Sequence, residues 1–220
     1  MKNKIPRDAP LVHQQKIKGG VFIISAPSGA GKTTLCHRLM ESVEHVVPSV
    51  SYTTRPPREG ESDNIHYTFV NEAKFRAMAA RGAFVEWALV HGNLYGTSGK
   101  RLKSLINAGN DVILDIDVQG AGQLRGSLEN EVYIFIMPPS LSALRSRLEK
   151  RKCITKEQQD DIERRLARAR DEMKHYNQYD YVIVNDNLKS ALRQFESIII
   201  AERLKSGRLD SRWMQNTLFK

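Results

Sequence analysis

Apolar residues in this chain fall mostly into short unbroken runs, each followed by a longer stretch in which apolar positions recur at helical spacing. "GVFIIS" at 20–25 passes through a glycine-rich turn into "KTTLCHRLMESVEH", which predicts a helix to His45. "DVILDID" at 111–117 leads into "VQGAGQLRGSL", and "VYIFIM" at 132–137 stops at Pro138-Pro139 before a helix from about Ser140. "YVIV" at 181–184 precedes "LKSALRQFESIIIAERL", with apolar residues every three or four positions. A strand apolar along its whole length is covered on both faces. Such strands alternating with helices predict an α/β fold, a parallel sheet between two layers of helices.

Two segments break this rhythm. Residues 51–110 hold turns, aromatics and one short helix near "EAKFRAMAARG", and read as an insertion. Residues 145–175 are dense in alternating charge and read as two exposed helices joined by "KRKCITKE". The expected division is a mobile basic tail at 1–19, core at 20–50, the insertion at 51–110, core at 111–144, a lid at 145–175, core at 176–205 and a basic tail at 206–220.

Composition adds exclusions. At 40% hydrophobic and 27% charged residues over 220 positions, the chain is globular. No run approaches the roughly 18 apolar residues of a membrane span, so no membrane role is expected. The N-terminus lacks the apolar centre of a signal peptide. The two cysteines, Cys36 and Cys153, show no metal or redox spacing, which suits a reduced, cytoplasmic setting. A net charge of +9 fits nucleic acid and fits a polyphosphate pocket equally well. Basic motifs interleaved with aromatics are lacking, and five Lys or Arg against one Asp in the last 18 residues read in part as a solubilising tail. No specific nucleic-acid partner is expected.

The chemistry starts at "SAPSGAGKTTL", Ser25 to Leu35. It matches G-x-x-x-x-G-K-[ST] except that Ala26 stands at the first position, which mainly ends the strand. Ser28, Gly29, Ala30, Gly31, Lys32, Thr33 and Thr34 form a loop and helix start able to cradle ATP phosphates, with Lys32 reaching the outer phosphates and the Thr33 hydroxyl a ligand for Mg²⁺. In "SVSYTTRPPREGE", Pro56-Pro57 favours an extended left-handed helix that sets Arg55 and Arg58 on one side, roughly 9 Å apart at ~3.1 Å per residue. Two guanidinium groups so placed can converge on one phosphate. Asp115 and Asp117 alternate with apolar residues at the C-terminal end of a strand, where open α/β sheets bind ligands. Asp117 serves equally well as the cap of the following helix.

"SAPSGAGKTTL", "SVSYTTRPPREGE", "HYTFV", "FVEWALVHGNLYGTS", "LDIDVQGA" and "YVIVND" occur in an order and spacing that resemble the guanylate kinases, over roughly residues 20–205. The resemblance implies a P-loop NTPase-type parallel sheet with a mixed α/β GMP-binding insertion and a helical lid. It implies transfer of the γ-phosphoryl of ATP to GMP, and to dGMP, with Mg²⁺. Ser51, Glu86 and Thr97 then look like guanine-reading residues, with Asp117 nearby. Guanine offers adjacent N–H donors on N1 and N2 that one carboxylate can accept together. Arg55, Arg58, Tyr67 and Tyr95 resemble the GMP phosphate clamp, and Asp115 lies toward the metal and its waters. Arg147, Arg151 and Arg165 match lid arginines that close over ATP phosphates, and Asn185 matches an adenine contact. The rival in another class is the guanylate-kinase-like module that binds phosphopeptides without catalysis, whose phosphate loop is characteristically degraded. A kinase for a phosphorylated sugar would share the loop without needing the guanine set. Three positions depart from the family: Lys150-Arg151-Lys152 replaces G-R-G in the lid, Asn64 replaces a turn glycine, and Leu94 replaces an aromatic. Asn tolerates a left-handed backbone best among non-glycine residues, so that turn is expected to survive.

Overall fold

The computed structural model describes residues 18–90, 92–149, 156–209 and 215–216, with the side chains of the helix that begins at Lys156 described from residue 159. Lys150, Arg151, Lys152, Cys153 and the basic tail up to residue 17 lie outside the described residues. β1 (Val21–Ser25) runs into α1 (Lys32–Ser42) and a short β2 (Val46–Pro48). β3 (Tyr52–Thr53), β4 (Thr68–Phe69), α2 (Glu72–Ala80), β5 (Phe84–Val90), β6 (Asn93–Ser98) and α3 (Gly99–Asn107) follow. Next come β7 (Asp111–Asp115), α4 (Val118–Leu124), β8 (Glu131–Met137), α5 (Leu141–Glu149), α6 (Lys156–Met173), β9 (Tyr181–Val184) and α7 (Leu188–Arg203).

The main sheet has the order β2-β7-β1-β8-β9, with every neighbouring pair parallel. Alternation along β1 builds two cores. Phe22 and Ile24 face α1 and α7, meeting Leu35, Leu39, Phe195 and Ile199, while Val21 and Ile23 face α3 and α4, meeting Leu102 and Leu124. Each such side chain, fully buried, stabilises by about 1.5–3 kcal/mol. The expected α/β layering is what forms.

Several local expectations differ from the structure. α1 ends at Ser42 rather than His45: His45 takes a left-handed turn (φ 60°) and Val46–Pro48 pairs with Asp111–Ile113 as an edge strand, where proline is tolerated. β7 stops at Asp115, and Asp117 caps α4 by accepting a hydrogen bond from the Gly120 N–H at 2.9 Å. The 51–110 interval is more regular than its sequence suggests. It holds a four-stranded sheet, order β4-β3-β6-β5, and a second helix, α3. β3 and β4 are two residues each, too short to show a period. α2 is anchored on this sheet by Phe75, fully buried and stacked on Phe84 at 4.6 Å. α3 packs instead on the main sheet through Leu102, Leu105 and Ile106. The charged 145–175 stretch conceals an apolar stripe: Ile162, Leu166 and Ala169 of α6 close a small core with Leu144 and Leu148 of α5.

At the N-terminal edge of the main sheet, Asp111 gathers three groups. It accepts from the Gly20 N–H at 2.9 Å and from Arg203 Nε at 2.7 Å, and pairs with Arg208, whose guanidinium also donates to the Lys18 carbonyl. Arg203 and Arg208 are therefore structural, although their positions read as tail charge. Asp111 and Arg208 are each 2% exposed. Removing one partner strands a buried charge, so Asp111→Asn is expected to lower stability by about 2–4 kcal/mol. A urea midpoint equal to that of the wild type would show the network contributes nothing.

Candidate active site

The C-terminal ends of β1 and β7, the loop after β1 and the inner side of the second sheet enclose a cavity of about 390 Å³. The loop enters it with Gly29 and Gly31 in the left-handed region, at φ 93° and 95°. A Cβ on Gly31 would collide with the Asn185 amide, so this position requires glycine on two counts. α1 begins at Lys32 with no side-chain cap and no acidic residue in its first turn, leaving uncapped N–H groups and the positive end of the helix dipole at the cavity. Ser28, Gly29, Gly31, Lys32, Thr33 and Thr34 all line it. Ala26 lines it too while its methyl packs on the main core, so the departure from glycine costs no phosphate-facing group.

Ala30 does not face the cavity. Its carbonyl accepts from Asn185 Nδ2 at 2.8 Å and from Arg147 Nη1 at 3.3 Å, and Arg147 Nη2 donates to the Asn185 carbonyl at 2.7 Å. β9 and α5 thus grip the loop from behind. Asn185, assigned to adenine by resemblance, is 6% exposed, and its amide is engaged on the loop.

Lys32 Nζ sits 2.5 Å from Asp115 Oδ1 and donates to the Ile116 carbonyl at 3.0 Å. Burial pulls the Lys32 pKa down, but the Asp115 carboxylate beside it outweighs burial and leaves the ammonium above its ordinary value. Asp117 shares the cavity wall. Opposite them Glu172, at the end of α6, also lines the cavity, and burial raises its carboxyl against the pull of Lys32. In sequence "RARDEM" reads as a solvated helix, and only the fold brings Glu172 here.

On the second sheet Glu86 and Ala88 point inward from β5, with Ser51, Tyr67 and Tyr95 around them. Glu86 is 4% exposed and accepts from the Thr97 hydroxyl at 2.5 Å. Desolvation raises its pKa to about 7, with the Thr97 bond opposing and Asp117 adding repulsion. Gly120 makes room for it, since a Cβ there would stand 2.8 Å from Glu86 Oε2. Thr97 itself lies one contact behind the wall. So does Arg55, which donates to the Tyr95 hydroxyl at 3.2 Å and to Glu61 at 2.8 Å, and lies 5.4 Å from the Tyr67 ring centre. Glu61 also accepts from the Arg58 N–H at 2.8 Å, and the Arg55 guanidinium holds its carboxyl below the usual range. Glu61 lies within "RPPREGE", and its spacing to both arginines is the sequence signal for this contact. The Arg58 side chain is exposed, and Arg165 pairs with Asp161 at 3.0 Å on α6; neither lines the cavity. Asn64 does take the left-handed turn (φ 59°), and Leu94 is buried.

A glycine-rich loop between the central parallel strand and its helix, with lysine at the helix start and carboxylates on the neighbouring strand end, defines a P-loop NTPase-type protein. The comparisons narrow the class. The family model described as "Guanylate kinase" matches residues 18–202. The guanylate kinase of Nitrosomonas europaea is 50% identical over 86% of this chain and 92% of its own length, and that of Geobacter metallireducens 47% over 88% and 94%. The crystal structure of guanylate kinase from Anaplasma phagocytophilum superposes with a TM-score of 0.75 at 32% identity, covering 93% of this chain and 97% of that one. The chain belongs to the guanylate kinase family.

Glu86 carries a stability cost. Its folded pKa lies above the unfolded carboxyl value, so the penalty is fully present above pH 7 and disappears as pH falls toward 4.5. Glu86→Gln is expected to stabilise the ligand-free protein at pH 8 by on the order of 2 kcal/mol and by almost nothing at pH 4.5. Thermal unfolding at both pH values checks this; an equal shift at both would assign the effect to packing instead.

Proposed function

We propose that the chain transfers the γ-phosphoryl group of ATP to GMP, giving ADP and GDP, in purine nucleotide metabolism. The observation that carries this reading is one cavity that holds both a complete phosphate loop and a desolvated carboxylate, Glu86, beside Ser51 and Thr97. The loop N–H groups and Lys32 receive the ATP phosphates, Lys32 exchanging Asp115 for phosphate oxygens. Charge placement rather than covalent chemistry does most of the work in this reaction class. Mg²⁺ fits the donors present: the Thr33 hydroxyl is exposed at the loop, and the Asp115 side chain is 42% exposed in the same cavity, both hard oxygens suited to it directly or through water. When bound it supplies neutralisation and orientation of the triphosphate. Ionised Glu86 accepts guanine N1–H and N2–H, with Ser51, Thr97 and Asp117 completing the base site. Arg55, oriented by Glu61 and Tyr95, takes the GMP phosphate together with Arg58, Tyr67 and Tyr95. Arg147, Arg151 and Arg165 bring positive charge from the lid, and Arg147 and Asn185 also hold the loop in shape. The cytoplasm is the setting that supplies both nucleotides.

The test is ADP formation from Mg·ATP with GMP, AMP, CMP and UMP offered separately. GMP is expected to exceed AMP in kcat/KM by at least about 10³-fold, because adenine leaves the buried carboxylate unpaired. Lys32→Ala is expected to lower kcat at least about 100-fold. Binding of GMP or a phosphopeptide without turnover of any acceptor would instead establish the non-catalytic module.

Because GMP is accepted by the ionised form of Glu86, binding near pH 7 expels a proton. GMP affinity is expected to rise about tenfold from pH 6 to pH 8 and to level off above. Calorimetric titration measures it, with Glu86→Gln as the control for ionisation of the GMP phosphate itself. A parallel pH profile in the variant would remove Glu86 as the titrating group.

A further inference from the structure

α3 belongs to the main core, yet its third residue reaches out of it. Arg101 Nη1 donates to the Val50 carbonyl at 3.1 Å and to the Thr68 hydroxyl at 3.1 Å, while Nη2 donates to Asn64 Oδ1 at 3.4 Å. Its guanidinium carbon lies 5.5 Å from the Tyr52 ring centre. Thr68 in turn donates to Asn64 Oδ1 at 2.9 Å, so that oxygen is shared by two donors. One side chain on the core thus holds the entry to β3, the start of β4 and the left-handed residue of the loop between them. Two of these three points are adjacent to residues of the cavity wall: Val50 precedes Ser51, and Thr68 follows Tyr67.

From this geometry we infer that Arg101 is a positioning residue for the GMP half of the site. It fixes Ser51 and Tyr67 relative to the phosphate loop by tying the second sheet to the main core. The inference rests on the GMP reading above. The planar fork is what the role requires, because its nitrogens serve a carbonyl, a hydroxyl and an amide oxygen in fixed directions. Lysine offers one nitrogen and cannot span them. Losing the clamp frees Ser51 and Tyr67 before GMP arrives, so GMP must order them on binding, at the expense of affinity. The ATP side, held by Ala30, Asn185 and Arg147, shares none of these bonds.

The experiment uses the full chain. GMP binding is measured by calorimetry without ATP, followed by steady-state kinetics and amide hydrogen exchange, for the wild type, Arg101→Ala and Arg101→Lys. In Arg101→Ala the GMP Kd and KM are expected to rise about tenfold, a fraction of what charged hydrogen bonds are worth. kcat at saturating GMP and ATP affinity are expected to stay within about twofold. Exchange should quicken across residues 62–68, and Arg101→Lys should fall between the two. An unaltered GMP Kd, or equal losses in GMP affinity, ATP affinity and kcat, overturns the role. Should Arg101→Ala fail to fold, Asn64→Ala on the exposed loop removes the shared acceptor, and an unchanged GMP Kd there is equally fatal. A wild-type chain that turns over no GMP overturns the functional reading, whereas wild-type turnover with an unaffected Arg101→Ala overturns only the part given to Arg101.

Discussion

The Lys32 ammonium is the point on which the site is assembled. It stands at the first turn of α1, reaches the Asp115 carboxylate at the end of β7, and donates to the Ile116 carbonyl. Two adjacent parallel strands and the helix after the first are thereby joined at the end of the sheet where the helix dipole and the uncapped N–H groups attract anions. A buried ammonium without a partner is expensive, and Asp115 is the partner available before phosphate arrives. In the proposed reaction phosphate competes with a carboxylate for the lysine, so the charge would already be in place and desolvated when chemistry starts. Asp115, once released, faces the cavity as a hard-oxygen donor.

The same exchange of partners recurs across the cavity. Arg55 waits on Glu61 and Tyr95, and Glu86 waits on Thr97. Each polar group that would meet GMP is held by a protein partner weaker than, or replaceable by, the substrate. A substrate lacking the matching groups would leave these atoms in poor company, and under the proposed function this is the physical origin of selectivity for guanine. Glu86 shows what this costs the protein. Its carboxylate is stabilised less by the fold than by water, and in the proposed reaction guanine offsets the loss.

The helical pair α5 and α6 is organised differently from the rest. α5 and α6 satisfy their apolar surfaces largely on each other, through Leu144, Leu148, Ile162, Leu166 and Ala169. Most of their remaining surface is charged, and Arg165 is held by Asp161 within α6. A helical pair with its own core can be displaced with little exposure of the main one. Its contacts with the glycine-rich loop run through Arg147 and through Leu144 and Leu148 beside Gly29, which places the pair and the loop in direct contact.

Apolar strands alternating with helices were enough to predict the α/β class, because a strand buried on both faces cannot be written with polar residues. The phosphate loop was legible too, since a left-handed backbone at Gly29 and Gly31 and a lysine at a helix start are local requirements. What the sequence by itself could not specify were features that depend on distant neighbours. β3 and β4 are too short to carry a period, and the three residues of β2 carry no strand signal until β7 lies beside them. Asn185 and Arg147 turn out to brace the Ala30 carbonyl, Arg203 and Arg208 to close on Asp111, and Glu172 to face Lys32. Arg101 carries no local signal and finds its partners only when β3 and β4 come within its reach. Local backbone demands and burial are encoded residue by residue, whereas the partner of a long charged side chain is chosen only when the fold brings distant segments within hydrogen-bonding distance.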